Sequence, residues 1–343
     1  MREDSNLIRQ KNLEKLSALL FSKRNAIKAE MAKDTGISVV TINSLVKELV
    51  KENIFLEGQS IQQKTGRPAV EYAFNYDKTH YLILSIQEKK SPERVRKLEV
   101  IVKVVNMDGV EKISEVIDFP IIKLEALFDI IGTYLKGNYE IGKIGLSIPG
   151  KISKGVITSS WENVFNGWDI AKELTRITDI PIKIQNDAHI MTMGFCALNN
   201  LLTNESIVGI FYPEKSMPGI TIFSNGSLIE GQKGLAGEAK YLPILMDKPA
   251  PDSDIELARN LSEIVAIYNA VIAPNIFVIS SENVEEKIMR ETIESNTVLS
   301  RQPNDPTIYF AQNFQESMTI GLRWLVTEDT IYKVSGNTEK FSE

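Results

Sequence analysis

The sequence is poor in the groups that hold metals and disulfides: one cysteine, Cys196, and two histidines, His80 and His189, in 343 residues. A lone cysteine excludes an intrachain disulfide, and so few sulfur and imidazole ligands exclude a structural zinc site of the usual thiolate type. No run of 18 or more apolar residues is present, so no membrane-spanning helix is expected. The opening Met1-Arg2-Glu3-Asp4 carries both signs of charge and leads into no apolar stretch, which argues against a signal peptide. Low-complexity tracts and short repeats are missing too. The expectation left by these absences is a cytoplasmic globular protein.

The composition itself is ordinary, 43% hydrophobic and 24% charged, with a net charge of −6. That charge is unevenly spread, being +3 over residues 1–75 and −9 over the remainder. A mildly basic head on an acidic body suits a small module that faces phosphates.

The head reads as three helices and a hairpin. Apolar residues at helical spacing, Leu13, Leu16 and Leu20, mark a helix over residues 7–21. A second spans 27–33 and stops at Thr35-Gly36. Ser38 supplies an N-cap for a third over 39–51, whose inward face is Ile42, Leu45, Val46 and Leu49. Its other face is Val39, Val40, Asn43, Ser44 and Lys47. One apolar face docked on the domain and one small, polar face left free is what a recognition helix needs to enter a major groove. The plainer alternative is a helical hairpin used for docking or dimerisation. Strands at 54–56 and 70–74, joined by a polar tip that includes Lys64 and Arg67, extend the pattern to a winged helix-turn-helix. Residues 75–78 read as a linker. Strands and helices then alternate as far as 276–279, the mark of helix-covered sheets.

The head resembles the DNA-binding part of the ROK family, which contains repressors and sugar kinases. The carrying residues are Ile8-Arg9-Gln10-Lys11-Asn12, Thr35-Gly36-Ile37-Ser38, Thr41-Ile42, Leu45-Val46, Leu49 and Gly66-Arg67-Pro68-Ala69. The body resembles the same family through Gly145-Leu146-Ser147-Ile148-Pro149-Gly150, Asn186-Asp187-Ala188 and Leu235-Ala236-Gly237-Glu238. The resemblance implies an α/β body of two actin-like, ribonuclease-H-like lobes. It divides the chain into a head over 1–75, a first lobe over 76–190 completed by a C-terminal helix near 308–330, and a second lobe over 191–307.

Departures from the family pattern point away from catalysis. Kinase members open the body with Asp-Ile-Gly-Gly-Thr, where this chain has Ser85-Ile86-Gln87-Glu88-Lys89-Lys90. A second glycine-rich phosphate loop is replaced by Glu214-Lys215-Ser216-Met217-Pro218-Gly219, and a late Gly-Gly by Ser280-Ser281. Loops as poor in glycine as these do not turn converging backbone N–H groups onto a polyphosphate. Tyr241 stands where the family's zinc-binding histidine would be. The resemblance keeps Asn186, Asp187 and Glu238 as sugar-facing residues, with Asp187 matching the catalytic base, and aligns Asn163 less closely with another hydroxyl ligand. Asn186-Asp187 can equally be a plain helix cap. Cys196 reads as a buried apolar residue.

The sequence therefore predicts a DNA-binding regulator, a repressor in the family's pattern, with no enzymatic activity, cofactor or metal. Ser38, Val39, Val40, Asn43, Ser44, Lys47, Lys64 and Arg67 would face a double-stranded operator. Asn163, Asn186, Asp187 and Glu238 would face a sugar effector, and the protein would be a homodimer. The competing readings are a sugar kinase with an added head, and a regulator whose body only dimerises.

Overall fold

The computed structural model describes residues 2–62, 68–89, 97–204, 206–213, 216–281 and 284–334. The head consists of α1 (Arg2–Lys23), β1 (Asn25–Ile27), α2 (Lys28–Thr35), α3 (Val39–Lys51), β2 (Phe55–Ile61) and β3 (Ala69–Phe74). Strand β1 pairs antiparallel with β3, Ile27 opposite Glu71, giving a small sheet in the order β1-β3-β2. This corrects the expected start of the second helix at residue 27. Ile27 is extended and buried, and its N–H donates to the Glu30 carboxylate at 3.3 Å. A β-branched apolar residue gains more from the sheet than from an exposed first helical turn. Gly36, at φ 72°, closes α2 by donating its N–H to the Ala32 carbonyl. The Ser38 hydroxyl caps α3 by accepting from the Thr41 N–H at 3.2 Å. Leu16, Leu20, Met31, Ile42, Leu45 and Phe55 close the core beneath these helices.

The body follows as β4 (His80–Glu88), β5 (Leu98–Asn106), β6 (Glu111–Asp118), α4 (Leu124–Leu135), β7 (Ile141–Ile148), β8 (Gly150–Ser153), β9 (Val156–Ser160), α5 (Ile170–Leu174), β10 (Ile182–Asn186) and α6 (Asp187–Leu198). Then come β11 (Ser206–Phe211), β12 (Gly219–Ser224), β13 (Ser227–Leu228), α7 (Asp254–Ile272), β14 (Ile276–Ser280), α8 (Glu286–Glu294), β15 (Thr307–Phe310) and α9 (Phe314–Thr327). Two five-stranded sheets result, in the orders β10-β7-β4-β5-β6 and β13-β12-β11-β14-β15. Each has three parallel strands continued by an antiparallel meander, so the two lobes repeat one architecture. The edge strand β6 and the β8–β9 hairpin are absent from the sequence reading. The polar, half-exposed residues of β6 lack the apolar run that marks a buried strand.

The lobes meet where α6 packs against α9. A side chain at Gly194 would place its Cβ 1.8 Å from the Ser317 carbonyl oxygen, and one at Gly321 would lie 1.9 Å from the Ile190 carbonyl oxygen. Two glycines thus let the helices touch backbone to backbone.

The expected linker at residues 75–78 is instead a buttressed joint. The Asn75 amide donates to the Asn53 carbonyl at 2.9 Å, and the Tyr76 hydroxyl donates to the Phe21 carbonyl. Phe21, Phe74, Tyr76 and, from beyond α9, Tyr332 form an aromatic cluster with ring centroids 5.0–5.4 Å apart. Arg24 makes a two-pronged ion pair with Asp108 in the β5–β6 turn, at 3.0 and 3.2 Å. Burial of Tyr76 and Tyr332 turns what reads as a polar spacer into part of the core.

Replacing Gly194 or Gly321 with alanine is expected to lower stability by about 3 kcal/mol or more, because the clash is with backbone that has nowhere to go. Gly132→Ala in α4, where nothing lies within 4 Å of the added Cβ, should instead raise it by up to ~1 kcal/mol. Urea denaturation of the three variants checks the pair of opposite signs.

Candidate functional site

Two surfaces collect the residues singled out by sequence. The first is the outer face of α3. Ser38, Val39, Val40, Asn43, Ser44 and Lys47 are all exposed, while Ile42, Leu45, Val46 and Leu49 are buried. Val40, 81% exposed, and its neighbour Val39 put two apolar side chains side by side on this face. The remaining two candidates of this group, Lys64 and Arg67, lie outside the described residues. Around α3, Arg9 of α1 pairs with Glu48, and Lys28 at the start of α2 lies over the Tyr72 ring at 5.1 Å.

The second surface is the cleft where the first sheet ends at α6. Strand β10 runs into Asn186, whose side-chain oxygen accepts the Ala188 N–H at 3.0 Å and so caps α6. The same amide donates to the Gly150 carbonyl at 3.1 Å, tying the helix start to the β8–β9 hairpin. The cap reading and the cleft position are therefore one arrangement. Asp187 accepts the Ala188 N–H at 2.8 Å. Burial pushes its carboxyl up to about 6, against the opposing pull of the Lys151 ammonium and backbone N–H groups.

Glu238 reaches the cleft from the second lobe, on the loop that follows β13. It lies between two lysines: Lys151 Nζ is 3.8 Å from Oε1 and Lys240 Nζ is 3.2 Å from Oε2. Lys151 is 4% exposed and donates to the Ala236 carbonyl at 3.3 Å. Burial lowers its pKa, opposed by Glu238, Asp187 and Glu230. The sequence reading stopped at Gly150 and missed Lys151. No period or motif in the sequence marks it. Asn163 is not joined to this group. It is exposed, at φ 60°, and accepts from the Asn166 amide at 3.0 Å.

Where a nucleotide's phosphates would need a turn, β4 continues as a strand. Glu88 stands opposite Leu98, and the Lys89 N–H donates to the Lys97 carbonyl, so the Lys89 amide is committed to the ladder. The Gln87 amide donates to Ser85 at 2.8 Å and accepts from Gln315 of α9 at 2.7 Å. Glu214 and Lys215 lie outside the described residues. Tyr241 is 58% exposed beneath Lys240, and the described residues hold no group of three His, Cys, Asp or Glu that could take a metal ion. Cys196 is fully buried with its thiol pushed up to about 12, and His189 is buried with its imidazole lowered to about 3, both by desolvation. Neither group reacts or titrates near neutrality.

Residues 118–249 match the ROK family. A xylose repressor of Bacillus spizizenii is 23% identical over 255 residues, which span 72% of this chain and 64% of the repressor. The chain thus spans a little under two thirds of that relative's length. Among solved structures, a ROK family transcriptional regulator, a homolog of the E. coli MLC protein, superposes with TM-score 0.67 at 15% identity, covering 95% of this chain and 97% of its own. A ROK hexokinase from Thermus thermophilus superposes on 71% of this chain and 96% of its own, with TM-score 0.54 at 16% identity. These likenesses show the two-lobed fold, and the first extends it through the head. No helix among the described residues is long and apolar enough to cross a membrane.

The Asp187 carboxyl gives the cleft a pH signature. Its folded pKa, near 6, lies above its ordinary value of 3.8, so the folded state holds the proton more tightly than the unfolded one. The resulting destabilisation is absent well below pH 3.8, grows as pH rises, and is complete above pH 6. Asp187→Asn removes it. The variant's melting temperature relative to wild type should be higher at pH 7.5 than at pH 4, as paired thermal melts will read.

Proposed function

A chain that carries a ROK family domain, and that takes the fold of a ROK family regulator along nearly its whole length, is, we propose, a DNA-binding transcription regulator acting as a repressor. The observation that carries this reading is the outer face of α3, where small, polar and apolar side chains stand exposed on a helix whose opposite face is locked into the core. Asn43 and Ser44 are suited to base edges, Val39 and Val40 to thymine methyl groups, and Lys47 to phosphate. Ser38 would sit at the helix start nearest the backbone. Lys64 and Arg67 would extend the contact from the wing. The protein would bind as a homodimer, because a helix-turn-helix head reads two half-sites related by the protein's own two-fold axis.

The body would be a sensor without kinase chemistry. In support, β4 runs on as a paired strand where phosphates would need free amides, and the flanking loops are poor in glycine. Asn186, Asp187 and Glu238 remain as hydroxyl partners for a sugar or sugar derivative. Such a ligand shifts the equilibrium between lobe arrangements only if it binds one arrangement more tightly. Asn163 would contribute only through a rearranged loop.

Fluorescence anisotropy with DNA from upstream of the protein's own gene tests the head. Lys47→Ala should weaken binding on all sequences and reduce the salt slope by about 1, whereas Asn43→Ala should cost about 1–3 kcal/mol on the preferred site and relax the preference. An intact protein that shifts no such fragment at low salt, or that scatters light as a monomer at micromolar concentration, contradicts the reading.

The cleft is tested separately. Asp187→Ala should abolish sugar-induced release from DNA, with D-xylose and D-glucose as first probes, and leave sugar-free DNA binding unchanged. A full response in that variant would move the effector site elsewhere.

A further inference from the structure

The cleft already contains a ligand of its own making. Lys151 projects from β8, in the first lobe, towards Ala236 and Glu238 of the second lobe's loop. Its ammonium donates to the Ala236 carbonyl at 3.3 Å and lies 3.8 Å from Glu238, both on the second lobe's loop. The side chain is 5% exposed, so this is an interior cation rather than a surface one. Two more bonds cross at the same place. Lys240 donates to the Ser159 hydroxyl at 2.9 Å, and Gln185 donates to Glu230 at 3.0 Å. Gly234 of the same loop sits so close that a Cβ there would lie 2.5 Å from the Ile152 carbonyl oxygen. The loop is also fixed to its own sheet, because Gly219 bridges to Glu238 and the Ile220 N–H donates to the Gly237 carbonyl at 3.1 Å. A pull on the loop is therefore a pull on the second lobe.

We infer that Lys151 is an internal ligand, whose ammonium takes the place of a sugar's hydroxyl donor at Glu238 and holds the two lobes together in the absence of any small molecule. This rests on the sugar-facing assignment proposed above for Glu238. The physical case is one of charge. A carboxylate and an ammonium buried together cost far less than either alone, so removing one partner leaves the other stranded. The lowered pKa of Lys151 and the raised pKa of Asp187 agree with a desolvated group of this kind. A polyol effector must then compete with a side chain that is always present, and its apparent affinity falls by the fraction of time the cleft is free of Lys151. Its hydroxyl groups must also offset the loss of the ammonium's charge beside Glu238 with hydrogen bonds alone, which favours ligands that donate more than one bond to that carboxylate.

Hydrogen exchange on the full-length protein without sugar or DNA tests the latch. Lys151→Met keeps the length of the side chain and removes the charge. Amides across residues 230–241 should exchange at least about fivefold faster than in wild type, while those of α9 keep their protection. A change below fivefold in the loop, or an equal change in α9, overturns the inference. If Lys151→Met does not fold, Glu238→Gln is judged by the same threshold. Because neither DNA nor sugar enters this experiment, loss of the regulatory reading and loss of the latch are told apart.

Discussion

The two lobes of this protein meet backbone to backbone at the contact between α6 and α9. Gly194 faces the Ser317 carbonyl and Gly321 faces the Ile190 carbonyl, with no room for a Cβ at either place. Each helix also lies close on a sheet: Val326 of α9 over Gly145 of β7, and Thr192 of α6 over Gly209 of β11. Packed interiors are dense and stiff, so a displacement at one end of such a pair is transmitted rather than absorbed. At its N-terminus α6 presents Asn186 and Asp187 to the cleft. Near its C-terminus α9 presents Arg323, which is buried and donates to the Met107 carbonyl at 3.1 Å, one residue before Asp108. Asp108 holds Arg24 of the head. The chain continues from α9 to Tyr332, which lies against Phe21 and Phe74.

How much of this was legible in the sequence depended on whether a local pattern or a distant partner set the structure. The third helix follows from Ser38 and an apolar repeat at helical spacing, and the structure has it over the same residues. The two lobes' central strands are continuous apolar runs and were equally plain. Strand β1 was hidden because three residues are too few to show a period, and because its pairing partner is about fifty residues away. The joint at 75–78 looked like a spacer because its polar residues outnumber Tyr76, whose burial depends on Phe21 and Tyr332.

The cleft shows the same division. Asn186, Asp187 and Glu238 stood out through resemblance, and the structure sets Glu238 3.8 Å from Lys151. Lys151 could not be found by the same route, since a single lysine after Pro149-Gly150 carries no period and no motif. Its meaning comes only from the fold, which sets β8 against the loop after β13. The carboxylates would be costly to bury without it. Asp187 shows the strain most clearly, with burial outweighing the help it gets from Lys151 and from two backbone N–H groups.

The regulatory reading proposed above requires the head to follow the body. A single partly exposed ion pair such as Arg24–Asp108 contributes only about 0.2–1 kcal/mol, too little to steer a domain by itself. The aromatic cluster supplies the rest, because Phe21, Phe74, Tyr76 and Tyr332 bury large ring faces against one another across the joint, each such pair adding about 0.5–1.5 kcal/mol beyond its buried area. The apolar core is continuous there, running from Leu16 and Leu20 of α1 to Met107, Leu322 and Val326 of the body. With no slack segment between them, a rotation of one lobe on the other changes the orientation of α3 as well. In the two-fold dimer proposed above that change would be doubled, since the α3 helices of both copies would turn about the same axis. Half-sites have a fixed helical spacing, so a rigid joint converts a small angular difference in the body into a mismatch on DNA, which a flexible linker would have hidden.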